Sequence, residues 1–107
     1  MESQAGRALE LVVFKLAEGV SREQFLGTVD AVSEWIGTQP GFVSRDLSYD
    51  AEGDRWVEVV WWQTLEDAHA AAELALTSET CRPMFELIDM ESTLMAHAEP
   101  AIAPVHA

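Results

Sequence analysis

By residue type and spacing, His69 is the side chain in this chain best placed to do chemistry. Glu66 lies three residues before it and Glu73 four after. On a helix those spacings set all three side chains along one flank. Turned at about 100° per residue, His69 falls between Leu65, Ala72 and Leu76, inside the apolar stripe that must face the rest of the protein. A histidine facing a sheet, or a pocket between helix and sheet, can act as a general base or as a ligand to a metal or haem. The plainer reading is a core-edge histidine bonded to one of the two glutamates or to a backbone carbonyl.

Other residues extend the list. Glu66-x-x-His69 matches half of a carboxylate-bridged di-iron motif, but that chemistry needs a second copy on a four-helix bundle, and the sequence has only one. Trp61 and Trp62 are adjacent, so in a strand they point to opposite faces. One fills the core and the other lines whatever cavity lies on its side, as aromatic walls do for planar organic molecules; the plainer reading is core or interface packing. Trp35 sits at the flank of the first helical stripe and reads either as a pocket lid or, more plainly, as flank packing; Met84 and Phe85 are further candidate walls. Lys15, the sole lysine, shares the parity of Leu11 and Val13 and reads either as an anchor for an anion or as an interface ion pair. Glu58 is a base or, more plainly, the partner of Arg55, Arg45 or Arg22. Cys81 has Arg82 beside it but no base fixed by the sequence. His97 and His106 lack zinc-ligand spacing, and the six glycines are too scattered for a phosphate loop.

Composition narrows what these groups can serve. With 19 acidic residues against 6 basic ones in 107, the formal charge is −13, which repels nucleic acid and anionic lipid. A hydrophobic share of 49% with four tryptophans argues against disorder. One cysteine excludes an internal disulfide and a multi-cysteine zinc site. Met1-Glu2-Ser3-Gln4 is acidic and polar, unlike a secretory leader, and no apolar run reaches the ~20 residues of a membrane span. The expectation is one cytoplasmic domain with no membrane or nucleic-acid partner. The sequence also contains no asparagine.

The elements that must position the candidates form two similar halves. Leu9 to Leu16 reads as a strand. Ser21 to Gln24 is a capping box, and Phe25, Val29, Val32 and Ile36 follow at helical spacing until Gln39-Pro40-Gly41 ends the helix. Phe42 to Tyr49 alternates, with Val43, Arg45, Leu47 and Tyr49 on one face. A hairpin at 50–54 leads into a strand from Trp56 to Trp62. Thr64 starts a helix through the Ala-rich 68–76, a short helical segment spans Pro83 to Ile88, and Glu91 to Ala98 is the last strand before a loose tail at 99–107. The order βαββαβ predicts an α+β ferredoxin-like fold with a four-stranded antiparallel sheet. Both faces of the two central strands are apolar: Leu9, Leu11 and Val13 against Val12, Phe14 and Leu16, and Val57, Val59 and Trp61 against Trp56, Val60 and Trp62. Two helices cover only one face, so the other calls for a second copy packed sheet against sheet. A homodimer is expected.

The stretches LELVVFKLAEGVSREQF, QPGFVSRDL, WVEVVWWQTLEDAHAAAE and MFELIDMEST, spread over 9–98, resemble the antibiotic biosynthesis monooxygenase-like domains of the dimeric α+β barrel superfamily. The resemblance implies a single dimeric barrel domain over 1–107. It also implies a possible role as a cofactor-independent monooxygenase of a small aromatic or polyketide-like molecule, without metal or other cofactor. Quinone-forming members of that family use an Asn and a Trp, and the haem-degrading branch an Asn, a Trp and a His. With no asparagine, neither set can be placed here, and Gln63 shares the parity of Trp61. The site expected on this reading has His69 as acid–base group and Trp35, Trp61, Trp62, Met84 and Phe85 as walls for a small apolar or aromatic ligand. The alternative is a non-catalytic ligand-binding or stress-related dimer on the same fold.

Overall fold

The computed structural model describes residues 7–107, so the acidic start read above for a leader lies outside it. Four strands, β1 (Ala8–Leu16), β2 (Phe42–Asp50), β3 (Arg55–Trp62) and β4 (Ile88–Ala98), form one antiparallel sheet in the order β2-β3-β1-β4. The helices are α1 (Arg22–Leu26), α2 (Val29–Gly37), α3 (Leu65–Leu76) and the single turn α4 (Arg82–Phe85). This is the α+β, ferredoxin-like architecture the element order predicts. Among the described residues no helix is long and apolar enough to cross a membrane.

Local chemistry sets most boundaries. Ser21 Oγ accepts from the Gln24 N–H while Gln24 Oε1 accepts from the Ser21 N–H, so the capping box forms in full. Thr64 caps α3 by accepting from the Asp67 N–H at 3.0 Å. The first helix is not continuous, as the stripe alone suggests. At Gly27-Thr28 the Thr28 hydroxyl donates to the Phe25 carbonyl at 2.7 Å, and the competing bond splits α1 from α2. The stripe survives the break, with Phe25, Val32 and Ile36 buried. Gly41 has φ +83°, and a Cβ there would run into the Asp67 side chain, so the Pro-Gly turn before β2 requires glycine twice over.

The core lies between the helices and one sheet face. Along β1 burial alternates strictly, with Ala8, Glu10, Val12 and Phe14 turned inward; on β3 Trp56, Val60 and Trp62 face the same way. Phe25 packs between Phe14 and Trp56, with centroids 5.6 and 4.8 Å away. Burying one such ring contributes ~1.5–3 kcal/mol. At the other end the buried Ala68 and Ala71 of α3 pack in one cluster with Trp62 and Ala8; side chains this small let the helix approach closely. A bulge between Phe42 and Ser44 resets the register of β2. Phe42 therefore packs on Trp62, and Val43, expected with Arg45 and Leu47, is exposed instead.

On the opposite face Leu9, Leu11, Val13, Val57, Val59 and Trp61 are half-buried, and Leu94 of β4 is 56% exposed. The sheet is apolar on both sides, as its sequence alternation requires.

Candidate functional site

A cavity of about 120 Å³ lies between the helices and the inner sheet face. Trp35 and Ile36 of α2, Ala72 and Ala75 of α3, and Met84 and Phe85 of α4 roof it; Val12, Phe14, Thr93 and Met95 belong to its sheet side. Two carboxylates, Glu10 and Glu58, interrupt a mainly apolar floor. They are diagonal neighbours, since Glu10 pairs with Val60 and Glu58 with Val12 across β1 and β3.

The two carboxylates have different partners. Glu58 is ion-paired with the Arg45 Nε, both side chains being largely buried at 12% and 6% exposure. Arg45 Nη1 donates onward to Ser33 Oγ at 2.7 Å, tying the pair to α2. Of the three arginines the sequence offered Glu58, the antiparallel register selects the one on the adjacent strand. Glu10 is 7% exposed and has no full-time cation. Its Oε1 accepts from Trp62 Nε1–H at 3.0 Å, and its Oε2 lies 3.4 Å from His97 Nε2. That nitrogen is buried and makes no hydrogen bond. Burial raises the Glu10 carboxyl above its usual 4.5; the Trp62 bond pulls it back, the Glu58 charge raises it, and His97 lowers it, for a net rise.

Of the residues expected to form a site, Trp35, Met84 and Phe85 line the cavity. Trp62 does not line the cavity; it packs beside it on the same sheet face, with Ala68 and Ala71, and reaches it through Glu10. Trp61 points to the other sheet face and is not a cavity wall there; the Arg7 guanidinium sits 5.6 Å above its ring. His69 is not in the buried stripe of α3, which Ala68 and Ala71 occupy because their small side chains let the helix settle onto the sheet. Its ring is exposed on the flank, 4.7 Å from that of His97 and nearly perpendicular to it. Leu76, taken with His69 as part of the stripe, is 71% exposed at the helix end.

Glu10 and His97 are the residues that sequence reasoning passed over. A readable signal did exist for Glu10, because it is the one charged residue at the parity of Val12 and Phe14. For His97 there was none, since its pairing with Glu10 depends on a register formed across 87 positions. Cys81 is buried against the cavity, and burial pushes its thiol upward, away from nucleophilic use. Lys15 and Arg22 border a separate cleft of about 290 Å³ at the far end of the sheet, where Arg22 stacks 4.3 Å above Tyr49. Among the described residues no cluster of His, Cys, Asp and Glu has the geometry of a metal centre.

No protein-family pattern matches the chain, and no curated protein does. Solved structures do. A variant of SnoaB, a cofactor-independent oxygenase from Streptomyces nogalater, superposes with a TM-score of 0.71 at 14% identity, over 92% of this chain and 97% of that one. A candidate antibiotic biosynthesis monooxygenase from Bordetella bronchiseptica gives 0.71 at 18% identity, over 91% and 99%. A monooxygenase from the gene ActVA-Orf6 of Streptomyces coelicolor, solved with nanaomycin D, gives 0.63 at 19% identity, over 97% and 95%. Identities this low speak to the fold, and on that ground the chain has the ferredoxin-like α+β fold of the antibiotic biosynthesis monooxygenase-like domains.

Proposed function

We propose that the chain is a cofactor-independent oxygenase acting on a small aromatic or polyketide-like molecule, with Glu10 as its base. The observation that carries this reading is a buried carboxylate on the floor of an apolar cavity, oriented by an indole N–H and lacking a permanent counter-ion. Burial raises its proton affinity toward the range in which a carboxylate works as a base near neutral pH. Trp35, Met84 and Phe85 hold a ring over it. Glu10 removes a proton from a ring CH₂ activated by a conjugated carbonyl, leaving an electron-rich carbanion whose charge is shared with that oxygen. Dioxygen takes its electrons and forms a C–O bond, and the resulting peroxide takes the proton back from Glu10 to become a hydroperoxide. Loss of the second C–H proton with departure of hydroxide yields the ketone and water, so CH₂ + O₂ becomes C=O + H₂O. No step passes through an asparagine, and the fold likeness to oxygenases supports the class of reaction. A purely ligand-binding role would not need a buried, raised carboxylate at the cavity floor.

Oxygen uptake against a panel of hydroxylated anthrones tests this. Glu10→Gln should lower turnover by about 100-fold or more while leaving the circular dichroism unchanged. Undiminished turnover in that variant removes Glu10 from the chemistry.

The open sheet face belongs to the same reading. A second copy packed on Leu11, Val13, Val57, Val59 and Trp61 would take that face out of water, which suits an antiparallel sheet apolar on both sides. Sedimentation at micromolar concentration should show a dimer, and a monomer there would end this part of the proposal.

A further inference from the structure

The methionines among the described residues, Met84, Met90 and Met95, all line the cavity, and their exposure divides them. Met84 on α4 is 7% exposed, whereas Met90 and Met95 on β4 are 56% and 51% exposed. β4 is an edge strand, with a neighbouring strand on one side only. Met95 pairs with Val12 across β1 and so belongs to the inner sheet face. From the helix side Leu76, at the end of α3, also lines the cavity and is the most exposed of its apolar residues. These side chains mark the cavity mouth, between the end of α3 and the edge strand. Leu76 is inert there, but Met90 and Met95 each carry a thioether.

A thioether in contact with water is open to two-electron oxidation, and burial protects it. The sulfoxide that forms is polar and accepts hydrogen bonds. An apolar ligand seated against it strips water from that oxygen and gives it no donor in return. Cys81, the other sulfur of the cavity, is 1% exposed, and burial holds its thiol protonated, which makes it the poorer target.

We propose that Met90 and Met95 are a modification site, oxidised by peroxides, that sets the affinity of the cavity for its apolar ligand. The O–O bond of hydrogen peroxide breaks as one oxygen bonds to the sulfur. The proton on that oxygen passes to the departing one, which leaves as water. Sulfur loses two electrons and the peroxide gains them. An organic hydroperoxide reacts in the same way and leaves as the alcohol. The oxygenation proposed for this cavity forms a hydroperoxide, so its own chemistry supplies an oxidant of this class. Oxidation turns the mouth polar while Met84 and the floor stay unchanged. The inference rests on the cavity as the ligand site and is independent of Glu10 as the base.

Brief treatment of the whole protein with hydrogen peroxide, followed by peptide mass spectrometry, should place oxygen on Met90 and Met95 well before Met84. Affinity is read by equilibrium dialysis with the dihydroxyanthraquinone chrysazin, a planar molecule with no CH₂ to be turned over. Oxidised protein should bind it about tenfold more weakly than untreated protein. Methionine sulfoxide reductase should restore the affinity. Met90→Leu/Met95→Leu, a swap close in volume, should keep the affinity of its own untreated sample through the same treatment. Met84 oxidised as fast as the other two, an affinity unchanged by oxidation, or an equal loss in the double variant overturns the proposal. A protein that takes up no chrysazin before treatment overturns the cavity as ligand site and this proposal with it. The base reading fails by a different route, undiminished turnover in Glu10→Gln.

Discussion

The two ends of the cavity floor carry the same functional group and use it differently. At one end Glu58 meets an arginine from β2, and that arginine is bonded onward to α2. Its charge is compensated and its position is fixed by three elements. At the other end Glu10 meets an indole N–H and a histidine, neither of which supplies a permanent positive charge. The difference follows from strand order. β3 lies between β2 and β1, so Glu58 can take its partner from β2, whereas Glu10 on β1 is flanked by β3 and β4 and finds tryptophan on one and histidine on the other. One carboxylate is tied into an ion pair spanning three elements, and the other has no fixed counter-ion.

The largest effect should come from breaking the compensated end. Arg45→Met leaves Glu58 buried without a counter-ion, and removal of one member of such a pair costs about 3–5 kcal/mol. Urea unfolding followed by tryptophan fluorescence should show a loss of that size. In the double variant Arg45→Met/Glu58→Leu most of the loss should be recovered, since replacing a buried pair by apolar groups is often close to neutral. A double variant as unstable as the single one would mean that Arg45 stabilises through packing or Ser33, and the contrast between the two ends would lose its basis.

The contrast was partly legible beforehand. Alternation in β1 and β3, the capping box at Ser21 and the turn at 50–54 all rest on interactions within a few residues, and each stands where its pattern puts it. Arg45 and Glu58 were legible as a choice among partners, because both strands and the hairpin joining them were clear. His69 was misplaced because a helical projection gives the angle between side chains without saying which arc the sheet will accept. The alanines settled that by their size. The break at Thr28 depends on one hydroxyl competing for a carbonyl, which stripe counting does not see. Glu10 was overlooked for a different reason: β1 was read for what its apolar residues cover, and a carboxylate at apolar parity is the exception such a reading steps over. His97 needed the β1–β4 register, and an irregular stretch between Val13 and Lys15 resets that register.

The smallest effect, and the finest test of the contrast, is in how stability depends on pH. Burial is the first cause of the raised Glu10 pKa, with the Glu58 charge adding to it and Trp62 and His97 opposing. A carboxyl raised above its unfolded value near 4.5 binds its proton more tightly in the folded state. The stability this contributes is fully present below that pH and is lost as pH rises through the folded value. Other carboxylates titrate in the same range, so the wild-type curve alone cannot isolate Glu10. The difference between wild type and Glu10→Gln does isolate it. Gln keeps an oxygen for the Trp62 N–H and never ionises, so the variant should gain on wild type between pH 4 and pH 7.5, in urea midpoints measured at each. Glu58→Gln, which removes the carboxylate that Arg45 is paired with, should instead lose stability relative to wild type. A Glu10→Gln difference that is flat, or that moves the other way, would mean the two ends of the floor are alike, with Glu10 held as a compensated charge by His97.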